Sequence, residues 1–470
     1  MLFNSISFLL FFPIVCIVYY LIPSKYTRRR VCFLLLASYY FYMNWKAEYA
    51  LILFAITIIT YLTSLGISRC NHIRVKRLLL LSNIFLIIGI LFYFKYYNFL
   101  AVNIEHLLSS FGLGIEIPEF KLLLPIGISF YTFKALGYSI DVYRGKTAVE
   151  RDFLSFALFV SFFPQLAAGP IDRANNLLPQ LHQCQRFEYE NFMKGIKIML
   201  WGYFLKLALA DRCGIYVDTI FNHLDYHNGG SYLVASFLFA FQIYGDFAGY
   251  SLIAIGVAKV MGFDLMENFR RPYFASSVGE FWHRWHISLS TWFRDYVYIP
   301  LGGSRVSKAR CYFNLLITFL ISGIWHGANW TFIIWGGLHG ILLCVEKALA
   351  IGGKKHYIGI NRLVHCIITF VLISITWVFF RADSLSDAIR VVTGIITNPG
   401  TPKVEYAHWL AIIFALIILV IKEVKDEFQI KISIIEKHHG LYDHICIIFM
   451  ICYILLFGVL GSDQFIYFQF

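Results

Sequence analysis

The sequence predicts an all-α, polytopic membrane protein with about ten to twelve transmembrane helices plus re-entrant and interfacial helices. Three observations predict it. Hydrophobic residues make up 59% of the 470 and charged residues only 14%, whereas about a quarter of a soluble domain is charged. Apolar runs recur along the whole length, most of them near the roughly 20 residues that a helix needs to cross hydrocarbon. Lys and Arg gather in short clusters between those runs, as the positive-inside rule requires. The net charge of +12 is therefore a topology signal, and nucleic acid is not an expected partner.

The elements follow in order. The first apolar run ends at Lys25, Arg28, Arg29 and Arg30, which places the N-terminus outside. It lacks a basic leading segment and a small-residue cleavage site, so it reads as a retained span. Runs near 31–44 and 48–66 turn at Asn44, Trp45 and Lys46 and end at Arg69, Arg74, Lys76 and Arg77. A run at 78–94 goes out, and one at 121–140 returns to Arg144, Lys146 and Arg151. Runs near 153–168, 192–212 and 232–260 are interrupted by Pro164, by Gly169 and Pro170, and by Gly245. Broken helices survive at membrane depth only where protein or a water-filled cavity satisfies the backbone, so re-entrant segments are expected here. Residues 264–310 carry seven Arg and Lys and read as cytoplasmic. The run 312–350 is interrupted at 323–330; its first part, 312–324, gives about 20 Å of helix, short of the roughly 30 Å hydrocarbon core. Lys347, Lys354 and Lys355 return the chain to the cytoplasm, and runs near 362–380, 405–421 and 441–460 complete it.

The ten Cys contain no Cys-x-x-Cys pair, so neither a disulfide framework nor a thiolate metal site is implied. Most lie in or beside apolar runs, where a free thiol behaves as a small hydrophobe.

Polar chemistry concentrates in two places. Residues 281–305 read FWHRWHISLSTWFRDYVYIPLGGSR, and residues 323–330 read GIWHGANW inside an apolar run. Ionisable groups at membrane depth cost about 2.5–3.5 kcal/mol each on insertion scales and are functional candidates by default. His326 lies between Gly323 and Gly327, where the backbone can bend and another molecule can come close. A neutral imidazole is the side chain best suited to take a proton from a hydroxyl near neutral pH. Asn329 is a candidate for orienting that ring or binding an oxyanion, and Trp325 and Trp330 supply apolar walls. The bland reading of His326 is a hydrogen bond between helices. His286 lies in a pattern where Phe281, Trp285, Leu289 and Trp292 recur at helical spacing; its alternative is an interfacial helix whose charges reach for headgroups. His283 and His286 lack the spacing and the Glu of a zinc helix, so no metal site is expected. Trp285 and Arg294 are candidates for holding an anionic acyl carrier or nucleotide, or else lipid headgroups, and Asp295 is a further candidate for binding substrate. Pro300-Leu301-Gly302-Gly303 is a turn.

These two stretches resemble the membrane-bound O-acyltransferase family in its alginate O-acetyltransferase branch. Further matches are LPIGISFYTFKALGYSIDVYRG at 124–145, FFPQLAAGPI at 162–171, YGDFAGYS at 244–251, WVFFRADSLSDAI at 377–389 and the terminal FIYFQF. The resemblance covers nearly the whole chain. It implies one integral-membrane acyltransferase domain over 1–470, with a motif core at about 124–345 and helices around a central tunnel. It carries the family's histidine to His326 and the second histidine of the 281–305 motif to His286. Two positions depart from the branch: Leu252, where an acidic residue is common, and His283, where a basic one is. D-alanyl transferases of teichoic acid share the histidines, while the Pro300–Gly303 turn favours the acetyl branch.

The function so implied is transfer of an acyl group, acetyl in the first instance, from a cytoplasmic thioester to extracytoplasmic polysaccharide, with His326 as general base and His286 assisting. The donor is acetyl-CoA or an acyl carrier protein, acting as co-substrate with no bound cofactor. The partners are the polysaccharide or a secreted hydrolase-like protein that relays the group, together with membrane lipid, and the location is a bacterial plasma membrane. A transporter or flippase is the rival from another class, since it too uses broken helices and mid-membrane polar groups.

Overall fold

The computed structural model describes residues 1–120, 124–349, 359–403, 406–430, 439–459 and 465–466. Lys354, Lys355 and most of the terminal FIYFQF lie outside them. The described residues are helical and contain no strand, and the chain divides into two compact units.

The first unit comprises Met1–Ile196 and Ala254–Met266. It holds α1 (Ile6–Leu21), α2 (Thr27–Met43), α3 (Tyr49–Arg69), α4 (Ile73–Lys95), α5 (Tyr97–Ser110), α6 (Ile128–Tyr143), α7 (Phe153–Ser161), α8 (Phe163–Leu166) and α9 (Ala174–Leu181). Where α3, α4 and α6 pack, Asn83 donates to the Ser139 hydroxyl at 2.8 Å and Ser64 pairs with it at 3.2 Å, a small polar cluster between apolar helices. Pro164 splits the apolar run at 153–168 into α7 and α8, as expected. Buried Lys134 donates to the carbonyl of Phe159 at 2.5 Å and to Gln165 Oε1 at 2.7 Å, engaging a carbonyl beside the break.

The second unit comprises Lys197–Ile253 and Glu267–Gln469. α10 (Tyr189–Tyr203) runs into it and continues as a π-helical segment, Phe204–Ala210, and then α11 (Asp211–Phe221). α12 (Gly229–Val260) is unbroken over 32 residues, so the interruption expected at Gly245 does not occur. A Cβ at Gly245 would stand 2.8 Å from the Leu205 carbonyl; the glycine serves close helix packing rather than a bend. Next come α13 (Val278–Arg284), α14 (Ile287–Phe293), a π-helical turn at Arg294–Tyr298, α15 (Lys308–His326), α16 (Trp330–Ala348), α17 (Gly359–Arg381), α18 (Leu385–Thr397), α19 (Tyr406–Glu427) and α20 (His439–Phe457). The expected interruption at 323–330 narrows to Gly327–Asn329, and α15 begins at Lys308 rather than 312, so each arm of the hairpin has 19 residues.

Among the described residues, five helices are long and apolar enough to cross a membrane: Tyr49–Arg69, Ile73–Lys95, Gly229–Val260, Trp330–Ala348 and Gly359–Arg381. Ile6–Leu21 and His444–Phe457 are apolar but shorter. Pro164 divides one of the other apolar runs, so one span per run does not hold at α7 and α8. Within the second unit Lys206 is buried between Asp211 at 2.7 Å and Asp246 at 2.6 Å, and Ile466 N donates to Asp246 at 2.8 Å. Charges out of water persist only when paired in this way.

Candidate active site

The site is built where α13 gives way to α14. Ser277 caps α13 by accepting from Glu280 N at 3.0 Å, and Glu280 reaches back to Ser276 N at 2.8 Å, a capping box displaced by one residue. Glu346 of α16 accepts from Gly279 N at 2.9 Å and also from Val278 N, placing a carboxylate on the positive end of the helix.

The helical spacing of Phe281, Trp285, Leu289 and Trp292 predicted one amphipathic helix through His286. The chain instead breaks there. His286 adopts a left-handed conformation at φ 42 and precedes α14. Main-chain bonds hold the break open: Arg270 N to Arg284 O and Ile287 N to Asn268 O, both 2.9 Å. Strain at a non-glycine residue persists only when its surroundings over-determine it, and such residues cluster at functional sites.

His286 is buried, and its Nδ1 lies 3.0 Å from Asn268 Oδ1. The same oxygen accepts from Ser288 Oγ at 2.9 Å, while Asn268 Nδ2 donates to Ser251 Oγ at 2.9 Å. The Ser288 main-chain N–H, which can only donate, also points at Oδ1 at 3.3 Å and fixes the amide: Oδ1 accepts, so Nδ1 of His286 carries the proton and Nε2 is the basic nitrogen. Burial pushes the imidazole down to about 3, so it is neutral at neutral pH.

His326 closes α15 and is 5% exposed. Its ring meets Trp325, Trp335 and Phe380 edge-on, with centroids at 4.7, 4.8 and 5.3 Å. Trp325 also faces His286 at 6.3 Å, so both predicted histidines meet one indole. Close approach of α15 and α16 holds this corner: a Cβ at Gly323 would lie 2.3 Å from the Phe332 carbonyl, and one at Gly336 would lie 2.3 Å from that of Phe319.

A cavity of about 390 Å³, within the size range of small-molecule sites, is lined by neighbours of the two histidines rather than by His286 or His326 themselves. On α15 its wall is Leu315, Thr318, Phe319 and Ser322, and His326 follows on the same face one turn beyond Ser322. On α14 the wall begins at Ile287, next to His286, and includes Phe293, whose ring meets Trp325 at 6.4 Å. The lining is mostly apolar, with exposed His283 and Arg294 among its polar members.

The other predicted residues are distributed differently. Arg294 lines the cavity and pairs with Asp295 at 2.9 Å. Trp285 is packed into an aromatic core, stacked on Phe281 at 5.4 Å and meeting Trp377 at 5.1 Å. Asn329 caps α16, accepting from Thr331 N at 3.0 Å and donating to Asp383 O at 2.9 Å; its amide binds backbone rather than the His326 ring. Sequence reasoning missed Asn268, Ser288, Trp282 and His339. Ser288 stands within the motif itself, but Asn268 is 18 residues before His286, in a loop, and no periodicity links them.

Residues 148–382 match the membrane-bound O-acyltransferase family. The probable alginate O-acetylase AlgI of Pseudomonas aeruginosa is 40% identical over 393 residues, which cover 83% of this chain and 74% of that relative. The chain belongs to the membrane-bound O-acyltransferase family. The peptidoglycan O-acetyltransferase of Helicobacter pylori is 34% identical, covering 85% of this chain and 80% of its own. The teichoic acid D-alanyltransferase of Streptococcus thermophilus is 34% identical over 243 residues, 48% of this chain and 58% of that relative. The resemblance read from 281–305 and 323–330 is thus borne out. The protein is an O-acyltransferase and a membrane protein.

Proposed function

We propose that this acyltransferase moves a short acyl group, acetyl in the first instance, from a cytoplasmic thioester to hydroxyls of an extracytoplasmic polysaccharide. The donor is acetyl-CoA or an acyl carrier protein, and a secreted hydrolase-like partner can stand between the enzyme and the polymer. A bacterial plasma membrane is the setting, with ten to twelve crossings arranged around a tunnel. The observation that carries this proposal is the meeting of two buried imidazoles at one indole, Trp325, which in turn meets Phe293 of the apolar cavity wall.

His326 acts as general base. Its imidazole takes the hydroxyl proton as the oxygen attacks the thioester carbonyl. The tetrahedral intermediate collapses with cleavage of the C–S bond, and the departing thiolate takes the proton back from the imidazolium. His286, with Nε2 basic, assists in proton handling or substrate binding, and Arg294 attracts the anionic part of the donor. Transfer of a D-alanyl group by the same machinery is the second reading, favoured by the likeness to the Streptococcus thermophilus enzyme. Membership of an acyltransferase family argues against a transporter.

The test uses purified protein, a labelled acyl thioester and an oligosaccharide acceptor. Wild type releases free thiol and labels the sugar. His326→Ala loses roughly 10²–10⁴ in rate, the usual worth of general-base help, while its melting profile stays near wild type. Undiminished transfer by that variant removes His326 from the chemistry.

A further inference from the structure

His339, on α16, is fully buried and has a partner on each ring nitrogen. Trp282 Nε1 lies 3.2 Å from its Nδ1. An indole nitrogen only donates, so Nδ1 is the acceptor and carries no proton. The proton of the neutral ring is therefore on Nε2, which donates to Thr376 Oγ1 at 3.0 Å. The Thr376 hydroxyl in turn donates to Ile373 O at 2.7 Å. The chain of donors runs one way and selects a single tautomer.

Trp282 borders the cavity. Its ring also meets Phe319 at 5.1 Å and Trp335 at 5.8 Å, and Trp335 packs on His326. The indole therefore stands between the cavity and the aromatic stack that holds His326. We propose that His339 is a positioning residue that fixes Trp282 as an end wall of the cavity, and that this wall restricts the acyl group of the thioester to short chains. The proposal rests on the thioester-dependent reaction above and adds what sets its chain length.

The experiment compares acetyl, butyryl and hexanoyl CoA as donors with the full-length protein, and measures equilibrium binding of the matching non-reactive thioethers. Wild type favours the two-carbon group. Trp282→Ala and His339→Ala each raise the hexanoyl-to-acetyl ratio about tenfold or more, the scale on which apolar pockets discriminate chain length. His339→Gln, whose Oε1 can accept from the indole while Nε2 donates to Thr376, keeps the wild-type ratio. In a Trp282→Phe background, which lacks the N–H, His339→Ala adds no further change. A ratio within threefold of wild type for Trp282→Ala in turnover and binding overturns the wall. A His339→Ala protein that melts earlier but keeps the ratio overturns the positioning role. If no thioester is turned over at all, the reaction assignment fails, while a gain of hexanoyl thioether affinity in Trp282→Ala still supports the wall and an unchanged affinity rejects it.

Discussion

His286 is a histidine placed where the backbone disfavours it, at φ 42, and its ring is aimed by one amide oxygen of Asn268. Removing that oxygen frees the ring to turn and to exchange tautomers. Asn268→Ala should lower kcat about ten- to a hundredfold, the range seen when partners that orient catalytic or ligating groups are lost, with a small change in KM. Steady-state kinetics check this, and Asn268→Asp, which keeps the acceptor, should recover most of the rate; equal losses in both variants would show that orientation is not what Asn268 provides. The sequence made both histidines legible because buried polar residues in an apolar context stand out by cost alone. Asn268 and His339 were not legible. Each works through a partner on another segment, Asn268 through His286 and His339 through Trp282 and Thr376, and sequence spacing carries no record of such pairings. Asn329 misled for the opposite reason: it sits beside His326 in sequence yet serves the start of α16.

Helical periodicity over 281–292 is real, but it cannot register a break held open by residues 268–270. Proline and glycine behaved differently. Pro164 ended a helix because it lacks an N–H and clashes with the preceding turn. Gly245 did not, because in a membrane helix a missing side chain also admits a neighbouring backbone. The same device joins α15 to α16 at Gly323 and Gly336. Gly336→Leu would force the two helices apart at the level of Phe319, which lines the cavity. Overpacking of this kind costs about 1–3 kcal/mol. The expected outcome is a lower melting temperature together with loss of acyl transfer, whereas Gly337→Leu, one residue on and with only a 3.6 Å contact to Leu320, should be mild. Equal effects at both positions would contradict a specific close approach.

At the scale of the whole molecule, composition alone was enough for membrane residence and an all-helical build. Charge pairing across distant segments was beyond it. Glu427, at the end of α19, is held by Arg271 at 2.7 Å, Arg284 at 2.9 Å and Arg362 at 2.6 Å. Burial by itself would raise its carboxyl, but the guanidinium groups of Arg284, Arg271 and Arg362 override this and bring it to about 2, from an ordinary 4.5. A depressed carboxylate contributes stability that is complete above its unfolded value and is lost as pH falls through the folded one. Glu427→Gln should therefore melt earlier than wild type by a constant margin from pH 7 to 5, with the margin shrinking as pH falls from about 4.5 toward 2. Melting curves in detergent across that range check it, and a margin still undiminished at pH 3 would count against the pairing as the source.

α12 has a further consequence. Its 32 residues make a rod of about 48 Å at 1.5 Å per residue, far longer than the roughly 30 Å of hydrocarbon in an ordinary bilayer. Tilt alone, seldom above about 40°, does not absorb that excess, and most of the rod is buried inside the protein, so it and the helices packed on it project past the hydrocarbon into the headgroup layer. Acyl-chain length in a reconstituted vesicle thereby becomes a variable in its own right, and rates measured in thin and thick bilayers are not interchangeable.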